Sequence, residues 1–265
     1  MMFRFLLTSL SLACMSCAAT AAEMPRQENG SSLTLGIGVG RAPRVLGSKE
    51  SQTGAAPVFD YQHESGFFVG SRRGLGWAGG SETFKYSVAL GARERRDEKD
   101  HSLLGTGTGG KELEGMGDVK ASALGLIGVG VQLSKQLGVN AALEVPLTQR
   151  NNGAALHLGM SYALLQTEQD AVALGAKLSY GDTKYLRTYF GVTAQQSQNS
   201  GYASFTPKAG FYKTDLTLTW SHRIDEHWSV TTMGGVTRLL GDAGNSPLAR
   251  RKTSPQGGVL VTYTF

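Results

Sequence analysis

The stretch from Phe211 to Arg223 alternates with period two. Leu216, Leu218 and Trp220 fall on one side; Asp215, Thr217, Thr219 and Ser221 fall on the other. That period belongs to a β-strand with two unlike faces. The same pattern recurs down the chain. Phe84, Tyr86, Val88 and Leu90 oppose Lys85, Ser87, Ala89, Gly91 and Arg93; Ile127, Val129, Val131 and Leu133 oppose Gly128, Gly130, Gln132 and Ser134. Further segments start near Leu137, Leu156, Val172 and Trp228, and the last ends at Phe265. Each runs for about ten residues, the length a tilted strand needs to cross a bilayer. The face opposite the apolar one holds Gly, Ala, Ser and Thr with an occasional Lys, Glu or His, which suits a narrow lumen better than a sandwich exterior, where more charge is expected. Aromatic residues (Trp77, Tyr162, Tyr180, Trp220, Trp228, Tyr263) gather at strand ends, as a membrane-interface girdle requires.

These features predict an all-β chain, a closed antiparallel transmembrane β-barrel. Connections of three to five residues near 134–136, 166–170 and 224–226 alternate with long ones at 94–118, 182–209 and 240–255. Short periplasmic turns and long external loops are the habit of such barrels. Eleven strands are visible by pattern, and single-chain barrels have an even number. Twelve is the expectation and ten the alternative, with the region 55–78 the place where a strand can be miscut. The segment 41–54 is expected to be a loop, and residues 23–32 a polar lead-in.

Residues 1–22 have the plan of a secretory signal peptide: Arg4, an apolar run from Phe5, then small residues to Ala22. Residues 23–265 then form one exported barrel domain in the outer membrane. Both cysteines, Cys14 and Cys17, lie within that leader. The exported part owns no disulfide, thiol nucleophile or thiolate metal site. The formal charge of +5 falls to +4 without Arg4, too little for a nucleic-acid footprint.

The ending Val261-Thr262-Tyr263-Thr264-Phe265 looks like the assembly signal by which the barrel-assembly machinery takes up outer-membrane proteins, with Val261, Tyr263 and Phe265 carrying it. Gly70 to Trp77 (GSRRGLGW), Gly115 to Lys120 (GMGDVK), Tyr185 to Ser197 (YLRTYFGVTAQQS) and Leu239 to Arg250 (LLGDAGNSPLAR) occur in one order along the chain, after Ala42-Pro43 and Gly47-Ser48. Together they resemble the MipA/OmpV family of outer-membrane proteins. The resemblance implies a non-enzymatic barrel and, through the family's best-described role, a scaffold joining a lytic transglycosylase to a murein synthase in peptidoglycan metabolism. Porin-like channels and surface adhesins are the other roles it implies. It supplies no catalytic, cofactor or metal residues.

Four local groups bear on function. His157 and Ser161 share a lumen face with Glu144 on the adjoining strand, yet four residues of strand separate the histidine and serine by roughly 13 Å, beyond the reach of a nucleophile–base pair. No metal spacing appears among the five histidines. Arg93 to Asp100 mixes both signs and reads as a solvated loop. The unmixed trio Arg250, Arg251 and Lys252 is the better candidate for contact with lipopolysaccharide. Within Tyr185 to Gly201, Thr193 can cap a short helix over 194–197 that Gly201 closes. An ordered external loop is preferred there to one that constricts the lumen.

Overall fold

The computed structural model describes residues 30–99 and 109–265. The leader over 1–22, most of the lead-in and Asp100 lie outside the described residues. Twelve antiparallel strands follow: β1 (Ser32–Pro43), β2 (Ser51–Gln62), β3 (Phe67–Gly70), β4 (Gly74–Gly80), β5 (Phe84–Arg93), β6 (Ser122–Gln132), β7 (Leu137–Pro146), β8 (Ala155–Gln166), β9 (Asp170–Gly181), β10 (Gly210–Arg223), β11 (Trp228–Leu239) and β12 (Thr253–Thr264). Each pairs with its neighbours in sequence, and β12 pairs back on β1, with Ile37 opposite Val261 and Leu35 opposite Tyr263. Closure removes the unpaired edges that hydrocarbon would penalise by several kcal/mol per orphaned amide. No helix among the described residues is long and apolar enough to cross a membrane, so the strands do the crossing.

The two faces fall as the alternation predicts. Leu216, Leu218 and Trp220 on β10 are 49, 49 and 44% exposed, whereas Asp215, Thr217 and Thr219 between them are 4, 8 and 3% exposed. The outward set is therefore the lipid face and the inward set lines the lumen. One exception sits at the top of β10. A bulge between Phe211 and Lys213 shifts the register against β9, so Tyr212 and Lys213 are both buried while Phe211 stays outside.

Two boundaries differ from the sequence reading. The strand missing from the pattern is β4: the glycine-rich run after Arg73 is a strand whose outward side chains are Leu75 and Trp77 and whose inward positions are small. Glycines erase the alternation there. Residues 51–54 belong to β2 rather than to the preceding loop, because Thr53, Gln52 and Ser51 pair with Arg41, Ala42 and Pro43.

The short turns after β2, β4, β6, β8 and β10 lie at one end, together with Phe265. Aromatic side chains ring that end. Trp77 packs edge-on against Phe67 with centroids 5.0 Å apart, and Tyr263 meets Trp228 at 5.1 Å and Phe265 at 4.7 Å. At the other end Tyr180 and Phe211 meet at 5.5 Å. That far end carries the long loops with α1 (Thr183–Phe190), α2 (Ala194–Ser200) and α3 (Gly241–Asn245), and 3-10 turns at Lys111–Leu113 and Arg150–Asn152.

Candidate functional site

The lumen is built from the inward positions of all twelve strands, and register decides which polar groups meet. Lys177 lies opposite Asp215 across the β9–β10 seam, and Asp215 lies opposite Thr237 across the β10–β11 seam. Directly opposed side chains sit close enough to bond. Lys213 Nζ donates to Asp215 Oδ2 at 2.9 Å, Lys177 Nζ stands 3.6 Å from the same oxygen, and the Thr237 hydroxyl donates to Asp215 Oδ1. A carboxylate buried among these donors is satisfied on both oxygens, the condition under which a buried charge is tolerated.

A second network spans β5, β7, β8 and β9. Arg93 Nη2 donates to Glu144 Oε2 at 2.9 Å, while its Nη1 donates to the carbonyl oxygens of Asn152 and Gly153 at 3.2 and 2.9 Å. Glu144 Oε1 is 3.2 Å from His157 Nε2, and His157 Nδ1 is 2.9 Å from Ser179 Oγ. Spacing along β8 rightly separates His157 from Ser161. The residue that does meet His157 is Ser179, opposite it on β9. The pairing register of β8 with β9 is the signal that would have found it, and spacing within a single strand contains no such information. A serine–histidine–glutamate chain invites comparison with a nucleophile and its base. Here the serine has no exposed surface, and the carboxylate is clamped by an arginine. This arrangement holds the wall together and offers no hydroxyl to a substrate.

An apolar cluster sits at the external end of the lumen. Asp182 caps α1 by accepting the Tyr185 N–H at 2.7 Å, and its other oxygen accepts the N–H of Ala154 at 2.9 Å, which pins the helix inward over β8. Gly153 makes room for it. Its φ is +72°, and a Cβ there would meet the Tyr185 nitrogen at 2.0 Å. Tyr185, Leu186 and Phe190 then pack with Ala155, Tyr212, Leu239 and Ala243 into an apolar cluster, with Leu46 and Ala249 at its border. The Tyr185 hydroxyl donates to the Tyr212 hydroxyl at 3.2 Å, and the Arg93 guanidinium lies 4.9 Å above the Tyr185 ring. Burial pushes the Tyr185 phenol well above its ordinary range, so it stays neutral and a donor. A smaller cluster of Met116, Val192 and Leu248 adds the remaining loops.

The preferred reading of Tyr185 to Gly201 as an ordered external loop is thus half right. α2 has the expected ends: a capping box between Thr193 and Gln196, and Gly201 in the left-handed conformation at φ +78°. α1, four residues earlier, is a plug. The reading of Arg93 to Asp100 as a solvated loop holds for the exposed Arg95 and Lys99 and fails for Arg93, Arg96 and Asp97. Arg93 points into the lumen, and Arg96 and Asp97 are buried. The reason is that the β5–β6 ladder resumes past its named ends, with Arg96 paired to Val119. Arg96 Nη1 donates to the Tyr189 carbonyl at 3.1 Å, and burial lowers its pKa from the ordinary arginine value.

The predicted site residues stand apart. Arg250, Arg251 and Lys252 are exposed at the external end just before β12. The Arg251 N–H donates to the Gly47 carbonyl at 2.8 Å, and Lys252 Nζ to Asn245 Oδ1 at 3.3 Å. Val261, Tyr263 and Phe265 lie at the opposite end of β12, with Val259 marking the same outward face. Among the described residues no group of His, Cys, Asp and Glu is placed to hold a metal ion.

A closed twelve-stranded antiparallel barrel with an apolar exterior, a polar lumen and aromatic rings at its ends is an outer-membrane β-barrel. The family model described as "MltA-interacting protein MipA" matches residues 35–265, and the chain belongs to that family. No curated protein matches the sequence. Solved structures of similar fold include the COG4313 outer membrane channel from Pseudomonas putida F1, 11% identical, covering 92% of this chain and 100% of that one at a TM-score of 0.44. The NanC porin is 7% identical over 86% of this chain and 98% of its own, at 0.48. The Ralstonia pickettii toluene transporter TbuX is 12% identical over 97% and 93%, at 0.41.

Proposed function

We propose that this barrel is a non-enzymatic scaffold of the outer membrane that gathers murein hydrolase and synthase on its periplasmic face. The observation that carries the reading is the apolar packing of α1 against β8, β10 and β11 at the external end, which favours the surface over an axial water path as the place of work. The periplasmic turns present Glu64, Glu82, Glu168, Asp225 and Glu226, all exposed, against Lys135, His63 and His227 in the same turns. A surface of that sign suits partners with a basic contact patch. At the external end the exposed Arg250, Arg251 and Lys252 are offered to lipopolysaccharide phosphates.

The test is retention of a lytic transglycosylase and a murein synthase on the purified barrel from detergent extracts. Glu168→Lys with Glu226→Lys should weaken retention and raise its salt sensitivity, since rim charges act mainly through association. Clean failure of the unaltered barrel to retain either enzyme would sink the scaffold. A narrow channel is the second reading, favoured by the small and polar lumen wall below the plug. It requires discrete conductance steps in planar bilayers.

A further inference from the structure

A groove of about 520 Å³ opens on the outside of the barrel at its external end, beside the top of β7. Its floor is apolar. Val145 and Leu147, 39 and 46% exposed, continue the lipid-facing side of β7 past Leu143. Leu147 lies over Gly125 of β6, where a Cβ would meet its Cδ2 at 3.6 Å, and the glycine adds no side chain of its own to that face.

The rim of the groove is cationic. Arg150 reaches it from the β7–β8 connection and Lys184 from the first turn of α1. Both are exposed, and neither has an ion pair among the described residues. Asp182 also lines the groove, but its two oxygens already accept the N–H groups of Tyr185 and Ala154. Two cations therefore face one carboxylate that is committed to capping a helix.

Arg150 is held in place by its neighbours. It opens the 3-10 turn Arg150–Asn152, and Gln149 before it has φ +48°, the only positive φ outside glycine among the described residues. Such a conformation persists where the surroundings over-determine it, and it is common at ligand clamps. Here Asn152 supplies the constraint. Its N–H donates to the Gln149 carbonyl at 2.8 Å, and its side-chain amide donates to the Lys120 carbonyl at 2.8 Å and the Ser122 hydroxyl at 2.6 Å. The Thr188 hydroxyl donates to the Asn151 carbonyl at 2.9 Å, which ties the turn carrying Arg150 to the helix carrying Lys184.

The groove sits where the hydrocarbon ends. Tyr180, one of the external aromatic pair, is opposite Leu156, which is opposite Leu143; Val145 is the next outward residue of β7 toward the external end. Aromatic rings of this kind lie at the level of the lipid headgroups. Val145 and Leu147 thus meet the upper part of the acyl chains, and Arg150 and Lys184 meet the charged layer above them.

We propose that this groove docks one lipid A moiety of the outer-leaflet lipopolysaccharide, with a phosphate between Arg150 and Lys184 and an acyl chain against Val145 and Leu147. Arginine binds phosphate as a planar fork and lysine as a point charge. Set above an apolar floor, the pair selects a phosphate that carries an acyl chain over one that is free. The site is distinct from Arg250, Arg251 and Lys252, and it does not rest on the scaffold reading, which concerns the periplasmic face.

The test is a titration of the purified, delipidated barrel in dodecyl maltoside with diphosphoryl lipid A, with occupancy read by native mass spectrometry. One lipid A should bind per barrel. Arg150→Ala with Lys184→Ala should weaken that binding about 30-fold, the loss expected when two cations are removed from beside an anionic lipid surface. Dephosphorylated lipid A should bind the unaltered barrel as weakly as the double variant binds the intact lipid, and the double variant should lose nothing further with it. Heat-modifiable migration checks that the variants fold; should the double variant fail, Lys184→Glu alone reads the same contact. Unaltered affinity in these variants overturns the site, as does a loss seen only when Arg250, Arg251 and Lys252 are replaced by Ala. Displacement of lipid A by inorganic phosphate would make the groove a site for free anions, and equal occupancy by phosphatidylglycerol would make it unselective lipid contact. Either result overturns the assignment.

Discussion

Placing an arginine at successive positions of β10 tests the assignment of faces and the depth scale together. A tilted strand gains roughly 5 Å of membrane depth for every two residues, from about 3.4 Å per residue at a tilt near 40°. Trp220 marks the periplasmic aromatic ring, so Leu218 sits about 5 Å and Leu216 about 10 Å above it. An apolar band about 25 Å tall then puts Leu216 nearest the midplane. Leu216→Arg should cost about 2–4 kcal/mol of barrel stability, with Leu218→Arg intermediate and above about 1 kcal/mol. Thr217 lies between them in sequence but inside the barrel, flanked across its seams by Gly175 and Gly235. An arginine there has room and keeps its charge in the polar lumen. Thr217→Arg should therefore cost under about 1 kcal/mol, the level of an interfacial position. Urea titration in vesicles, read as the fraction of heat-modifiable band in cold electrophoresis, measures all three. Equal losses at 216 and 217 would refute the assignment of faces, and a larger loss at 218 than at 216 would refute the depth scale.

Three further outcomes follow from the lumen, the plug and the periplasmic turns. Asp215→Ala removes the carboxylate from two buried ammonium groups and should cost about 3–5 kcal/mol in the same titration; Asp215→Leu with Lys177→Met and Lys213→Met should recover most of it. Leu186→Ala hollows the plug and should cost about 2–5 kcal/mol while introducing conductance steps in planar bilayers; a stable variant that stays silent would show that other groups seal the lumen. Asp225 accepts the N–H groups of His227 and Trp228 at 2.8 and 2.7 Å, and these bonds hold its carboxyl below the ordinary 3.8. A depressed folded-state pKa means that its contribution to the turn is present above that value and lost as pH falls through the folded one. The two amide resonances should shift with a midpoint below pH 3.8, and a midpoint above it contradicts the bonding.

Much of the barrel was legible because each spanning strand must satisfy two solvents at once. Period two in Leu216, Leu218 and Trp220 against Asp215, Thr217 and Thr219 states which side meets lipid, whatever the neighbours are. The even strand count then required a twelfth element, and Gly74 to Gly80 hid it by having only glycine and alanine at its inward positions. Partners across seams were not legible. His157 meets Ser179 and Asp215 meets Lys177 because of register, a relation between strands that no single strand's spacing expresses. The burial of Arg93, Arg96 and Asp97 escaped for a similar reason. A mixed run of charges reads as solvated until a neighbouring strand is found to continue beside it.

By itself, then, the sequence determined the closed sheet, its two faces, its aromatic rings and its orientation by loop length, since these follow from local pattern against a fixed slab of hydrocarbon. Only the tertiary structure decided that α1 folds inward as a plug and that two charge networks lock the lumen. Each of these depends on how far one strand runs beside another, which is a property of the assembled barrel and not of any segment in it.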